Sequence, residues 1–227
     1  MLNIVLPAYN EAESLNYFLP QIISDLKEIN FQIYVIDSQS PTDNTAEICK
    51  KFECNYVKRV GGDSYGDAIR TAISLCNSSD MIVMDADGSH NPRDILKMIK
   101  CQKSFDADIV IGSRYCQGGG SENGVISKLM SLLLNSIYKL FFHLDITDLS
   151  DSFRLYKAHS LTDLALESQN FDIIEEILIK FIKTKKNAII KEIPINFRKR
   201  KYGSSKRKTL VFIFNYIKTL FNLLKIK

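Results

Sequence analysis

No stretch of this 227-residue sequence reaches the ~20 uninterrupted apolar residues that a bilayer-crossing helix needs. Its start, Met1 running into Leu2-Asn3-Ile4-Val5-Leu6-Pro7, lacks a charged leader, a long apolar core and a small-residue cleavage site, so no signal peptide is expected. Cysteine is scarce: Cys49, Cys54, Cys76, Cys101 and Cys116 are odd in number and scattered, with neither a Cys-x-x-Cys pair nor a zinc-like spacing. That sets aside a disulfide framework and a zinc module, and a reducing, cytoplasmic compartment is expected. Internal repeats and long linkers are missing as well. No aromatic platform interleaves with the basic residues near the C-terminal end, so a nucleic-acid partner is not expected.

What is there is an ordinary globular composition, 45% hydrophobic and 25% charged, enough for one substantial core. The net charge is +4, but Arg198, Lys199, Arg200, Lys201, Lys206, Arg207 and Lys208 crowd into one short stretch, and a local excess calls for a local anionic partner.

Short β-branched runs alternate with helical patterns through the first half. The spacing predicts strands over Leu2–Leu6, Gln32–Ile36, Asn55–Val57, Met81–Met84 and Asp108–Ile111. Between them it predicts helices over Glu11–Ile29, Asn44–Phe52, Tyr65–Cys76 and Pro92–Ser104. Strands apolar along their length and separated by helices predict an α/β fold, a mostly parallel Rossmann-like sheet with helices on both faces. Asn91 before Pro92 and Asp94 reads as a helix start, Asn10 with Glu13 as a capping box, and Pro20 as a kink or break. Beyond these come a Gly118-Gly119-Gly120 turn, a long apolar helix, a polar turn at Asp148 to Ser152, and a helix over Asp172–Lys185. A strand over Ala188–Phe197 then leads into the basic loop and a terminal helix. In this reading Asn10, Asp37, Asp85, Asp87 and Arg114 all fall just past strand ends, along the rim where open α/β sheets bind ligands.

Asp85-Ala86-Asp87 closes an apolar strand, and alternation puts both carboxylates on one side, which suits a hard divalent ion completed by a diphosphate. Taken alone, Asp-x-Asp is also a common solvated turn. Its neighbours make the pattern specific. Pro7-Ala8-Tyr9-Asn10-Glu11, Asp37 with Ser40-Pro41-Thr42-Asp43-Asn44-Thr45, and Asp85-Ala86-Asp87 together resemble the family 2 glycosyltransferases of GT-A fold. Gly112-Ser113-Arg114-Tyr115, Asp148 to Arg154, and Arg200-Lys201-Tyr202-Gly203-Ser204-Ser205-Lys206 resemble the branch typified by dolichol-phosphate mannose synthases.

The resemblance implies that Pro7, Tyr9, Glu11 and Asp37 hold the nucleoside of a nucleotide diphosphate sugar, and that Asp85 and Asp87 bind Mg²⁺ or Mn²⁺. Ala86 and Ser89 would line the same donor site, and Arg114, Arg200 and Lys206 would face phosphates, with Asp87 among the catalytic residues. The sequence also departs from the family. The second strand ends in Asp37-Ser38 rather than paired aspartates, and the Ser-Gly-Phe-Arg turn stands as Asp151-Ser152-Phe153-Arg154. An arginine expected at the start of the long helix is Lys128, which keeps charge for an acceptor phosphate beside Arg114 but loses the bidentate fork.

The function implied is inverting transfer of a mannose, glucose or N-acetylhexosamine-type sugar to a polyprenyl or dolichyl phosphate. The alternative acceptor is a hydroxyl of a cell-surface glycan or glycolipid, which would need a base; Asp148, Asp151, Glu175 and Glu176 are the candidates. Val125 to Leu144 and Leu210 to Ile226 are broad apolar helical stretches with sparse lysines, readable as core helices or as interfacial ones. The interfacial reading gives a transferase domain over 1–208 and an amphipathic helix over 209–227, peripheral at the cytoplasmic face of a membrane, with a membrane-anchoring subunit as a conceivable partner.

Overall fold

The computed structural model describes residues 1–200 and 209–226, with side chains described outside 209–214. The expected alternation is present. It runs β1 (Leu2–Pro7), α1 (Ala12–Asp25), β2 (Phe31–Asp37), α2 (Thr45–Lys51), β3 (Asn55–Lys58), α3 (Tyr65–Leu75), β4 (Asp80–Val83), α4 (Asp94–Phe105) and β5 (Ile109–Ser113). β1 is parallel to both β2 and β4, and β2 to β3. Side chains of β1 alternate between two cores. Ile4 and Leu6 meet Leu15, Phe18, Leu19 and Ile22 of α1, while Val5 joins Ala68, Ile69 and Ala72 of α3 on the other face. Burial on both faces is why these strands read as continuous apolar runs, and each buried aliphatic side chain contributes about 1.5–3 kcal/mol.

The second half departs from the expected pattern. After β6 (Gly120–Ser121) and α5 (Val125–Phe142), residues just past the polar turn, for which no element was expected, form a strand, β7 (Arg154–Lys157). It runs antiparallel between β4 and β5, giving the order β3-β2-β1-β4-β7-β5 with β8 (Ile190–Pro194) at the edge. Four residues are too few for periodicity to register. The strand expected over Ala188–Phe197 is two: β8 (Ile190–Pro194) lies parallel to β5, and β9 (Asn196–Phe197) pairs with β6 in a separate ribbon. Gly119 is required there, since a Cβ on it would stand 2.6 Å from the Ser113 carbonyl oxygen.

Helix starts differ too. Asn10 does not cap α1; it adopts φ +54 and accepts hydrogen bonds from the Thr42 amide (3.3 Å) and hydroxyl (2.9 Å). The Ala12 N–H is instead taken by Asp43 at 2.9 Å, from a loop 31 residues away. Pro20 is exposed within α1, and the helix continues through it to Asp25. Asn91, expected to cap a helix starting at Pro92, instead accepts from Arg93 N–H at 3.3 Å within a turn, and α4 begins at Asp94 with no side-chain cap.

Helix α6 (Ile173–Thr184) and α7 (Thr209–Lys225) cover the α3 face, with Tyr216, Leu220 and Leu223 of α7 in its core. Beneath them Glu175 is wholly buried facing Arg154 and Tyr216; burial pushes its pKa up to about 8, with Arg154 opposing. The folded chain therefore keeps a proton that the unfolded chain gives up near 4.5. Stability falls as pH rises between those two values and then levels off. Glu175→Gln is expected to flatten this decline and to raise the urea midpoint near pH 8, as read from unfolding curves at stepped pH.

Candidate active site

The carboxyl ends of β1, β2, β4 and β5 lie at one edge of the sheet, and the antiparallel β7 brings its amino end to the same edge. Strand order reverses direction between β1 and β4, the switch point where open α/β sheets leave a crevice. Pro7–Glu11 follow β1 and Asp85–Asp87 follow β4, one on each side of it.

The Asp85–Ala86–Asp87 turn is set by backbone. Gly88 takes φ +77, a conformation that favours glycine. Ser89 then donates its N–H to Asp87 Oδ1 at 2.9 Å, while its carbonyl accepts from Arg198 N at 2.8 Å. Arg200 reaches Asp87 Oδ2 with Nε at 2.9 Å and Nη2 at 2.8 Å, and Glu11 Oε1 with Nη1 at 3.3 Å. Burial works against charge on Asp87, but the Ser89 bonds and the Arg200 guanidinium outweigh it and hold the pKa below the usual carboxylate range. Asp85 is pushed the other way, chiefly by burial, and accepts from the Ser152 hydroxyl at 2.8 Å.

Among the described residues no group of three or more His, Cys, Asp or Glu is arranged to hold a metal. The donor set at the turn is thus two carboxylates. Asp87 already attracts a cationic group, Arg200, so the turn fits a hard ion whose remaining ligands would come from a diphosphate.

A second cluster adjoins the turn. Arg114, just past β5, donates Nε to Asp148 Oδ2 at 2.7 Å and Nη2 to Asp148 Oδ1 at 2.8 Å, a bidentate pair. Its Nε also lies 3.1 Å from Asp151 Oδ2, and Nη2 donates to Ser131 of α5 and Ser150. Burial again opposes charge, but Arg114 and His90 hold the Asp151 pKa at about 2. Asp148 N–H is in turn fixed by Glu192 of β8 at 2.9 Å.

The residues that the resemblance assigns to the nucleoside are less open than the sequence implied. Asp37 is wholly buried, accepting from Ser38 N at 2.8 Å and Tyr56 Oη at 3.1 Å, and burial raises its pKa. The exposed carboxylate nearby is Asp63, which accepts from the Ser38 hydroxyl and Gln39 N–H, both at 3.0 Å. Tyr9 is exposed on the rim, Pro7 and Glu11 are half-buried, and Ala86 and Ser89 are buried under the turn. Lys128 is exposed on the first turns of α5. Lys206, with 201–208, lies outside the described residues.

His90, Ser152, Asp63 and Tyr56 are the site residues that sequence reasoning missed. His90 carried a signal in its place two residues before Pro92, in the run that follows the aspartates, and Ser152 in the Asp151-Ser152-Phe153-Arg154 turn; Asp63 and Tyr56 carried none.

Arg200 occupies the Asp87 oxygen a metal ion would use. Arg200→Ala is expected to tighten binding of Mn²⁺ alone about tenfold, ~1.4 kcal/mol, and Asp87→Asn to abolish it, by titration without nucleotide.

The model of "Glycosyl transferase family 2" matches residues 3–164. A dolichol-phosphate mannosyltransferase of Pyrococcus furiosus is 30% identical over 99% of this chain, which spans 64% of that protein. An undecaprenyl-phosphate mannosyltransferase of Micrococcus luteus is 29% identical over 89% of this chain and 85% of its own length. Among solved structures, glucosyl-3-phosphoglycerate synthase of Mycobacterium tuberculosis, in complex with Mn²⁺, UDP and phosphoglyceric acid, superposes with a TM-score of 0.78 at 16% identity, covering all of this chain and 79% of that one. That likeness establishes the GT-A fold. With the family match over most of its length and the aspartate turn at the switch point, the chain belongs to glycosyl transferase family 2.

Proposed function

We propose that this chain transfers a sugar from a nucleoside diphosphate donor to a polyprenyl phosphate at a membrane surface, with inversion and with Mg²⁺ or Mn²⁺. The observation that carries the acceptor is helix α5. On one side Ser131 bonds Arg114, and Asn135 bonds Thr147 O and Leu149 N, both at 3.2 Å. On the other, Val125, Ile126, Leu129, Leu133, Leu140 and Phe141 are exposed. By length and composition α5 would also suit a membrane crossing, with 11% of it buried. A helix turning hydroxyl and amide inward and an apolar stripe outward suits a protein with lipid on its outer side. The same helix thereby joins the polar Arg114 cluster, an arginine paired with Asp148 and Asp151, to a hydrocarbon-compatible surface, and a lipid phosphate would lie where the two meet.

The polar side of the site supports an anionic acceptor as well. A hydroxyl nucleophile needs a base, and each candidate is engaged elsewhere. Asp148 and Asp151 clamp Arg114, Glu175 is buried under α7, and Glu176 accepts from the Glu167 and Ser168 amides and pairs with Lys180 at 2.6 Å. A phosphate oxygen is already charged and needs only positioning by cations. Asp85 and Asp87 would hold the ion, which when bound neutralises charge growing on the leaving diphosphate. Glu11 and Tyr9 border the nucleoside, and Arg200, released from Asp87, would follow the diphosphate. In this reading 1–208 carries the chemistry and the helix over 209–227 adds a second surface contact, with Ile217, Phe221 and Leu224 exposed. The mannosyltransferases among the relatives favour a mannosyl donor.

Incubation with labelled nucleotide sugars, polyprenyl phosphate and Mg²⁺ or Mn²⁺ should give a lipid-soluble product that Asp87→Ala abolishes. Donor hydrolysis without lipid product would move the acceptor to a hydroxyl. Leu129→Glu with Leu133→Glu should remove co-sedimentation with anionic liposomes while leaving the thermal midpoint near wild type, each buried leucine being worth about 1.5–3 kcal/mol of membrane binding.

A further inference from the structure

His90 stands between the aspartate turn and the Arg114 clamp and takes no part in the chemistry described above. Its ring is wholly buried, stacked on Phe153 with centroids 4.7 Å apart and edge-on to Phe197 at 5.1 Å. Nδ1 lies 3.1 Å from the amide nitrogen of Asp85, and Nε2 lies 3.1 Å from Asp151 Oδ1. An amide N–H can only donate, so Nδ1 must present a lone pair, and Nε2 must then carry the hydrogen that goes to Asp151. A hydrogen on Nδ1 would set two N–H groups against each other. The hydrogen-bond pattern assigns the neutral Nε2–H tautomer.

The two partners of this ring belong to different halves of the site. Asp85 is one of the two carboxylates of the metal-binding turn. Asp151 faces Arg114 Nε at 3.1 Å with its other oxygen, and its Oδ1 also accepts from Phe153 N at 2.8 Å. The Ser152 hydroxyl reaches Asp85 Oδ1 from the same loop, a second strut beside the first.

We propose that His90 is a positioning residue whose imidazole fixes the spacing between the metal-binding turn and the Arg114 clamp, and so between the donor and acceptor halves of the site. The acceptor half of this statement rests on the function proposed above; the link itself rests on the contacts of one ring. Rings held on two sides by aromatic groups and at both nitrogens by fixed partners keep one orientation, and such supporting contacts are typically worth 10–100-fold in affinity or activity.

Two substitutions separate the two nitrogens. His90→Asn puts an amide oxygen near the Nδ1 position, keeping the Asp85 contact and losing Asp151. His90→Gln puts an amide nitrogen near Nε2, keeping Asp151 and releasing Asp85. The Gln variant is expected to weaken Mn²⁺ binding in the presence of nucleoside diphosphate about tenfold and leave KM for polyprenyl phosphate within about twofold. The Asn variant should do the reverse. Equal shifts of both readouts in both variants, or no shift in either with the thermal midpoint retained, would overturn the proposal. Should the variants not fold, ¹⁵N-histidine spectra of the wild-type chain decide it. Of its three histidines, His143 and His159 are exposed, and His90 should give the Nε2–H tautomer. A Nδ1–H or imidazolium pattern for it would sink the idea. Failure of the wild-type chain to use polyprenyl phosphate would count against the acceptor reading alone, because metal binding and tautomer are measured without turnover.

Discussion

The arrangement of the site depends on one buried guanidinium. Arg154 is wholly inaccessible and donates Nε to Asp151 O at 3.0 Å, Nη1 to Ile174 O at 2.9 Å and Nη2 to Leu149 O. It thereby ties the 148–153 loop to the start of β7 and to the first turn of α6. That loop is polar yet buried, with Asp148, Leu149 and Asp151 almost inaccessible. Such a loop is tolerable only when its backbone groups are bonded, since an unmet buried carbonyl costs about 1–3 kcal/mol. With the loop fixed, Asp151, Ser152 and Asp148 stand against His90, Asp85 and Arg114, and the two halves of the site face each other.

The charges at the rim follow from that placement. Glu11, Asp87 and Arg200 form one group; Asp85, His90, Asp151, Asp148 and Arg114 form another, and the short turn from Asp85 to Asp87 joins them. Asp87 is held ionised by its Ser89 bonds and Arg200, and Asp151 by Arg114 and the hydrogen bond from His90, whereas Asp85 is driven toward its neutral form by burial. A site of this kind gains most from a small, highly charged cation, because one carboxylate is ready and the next becomes ready as the ion enters.

Much of this was legible in the sequence. Parallel strands buried on both faces announce themselves as apolar runs, and the residues just past them could be assigned to one rim before any contact was known. The aspartate turn and the Pro7 to Glu11 segment were visible for the same reason. What was hidden depends on partners far away in the chain. Nothing near His90 points to Asp151, 61 residues later, or near Glu11 to Arg200, 189 residues later. Strand β7 is too short to show a period, and Asp37 gives no local sign that Tyr56 and Ser38 enclose it. The sparse polar residues of α5 left a core and an interfacial reading open, because nothing near Ser131 or Asn135 shows that they face Arg114 and the backbone of Thr147 and Leu149.

The bonds from Asn10 to Thr42 and from Asp43 to Ala12 do more than replace a helix cap. They lace the turn after β1 to the loop after β2, so that two segments distant in sequence form a single stiff wall on one side of the crevice. Stiffness there confines adaptation to the opposite wall, where Arg198 and Arg200 lead out of β9. Related chains would therefore differ first in side chains along the laced wall and only rarely in its backbone.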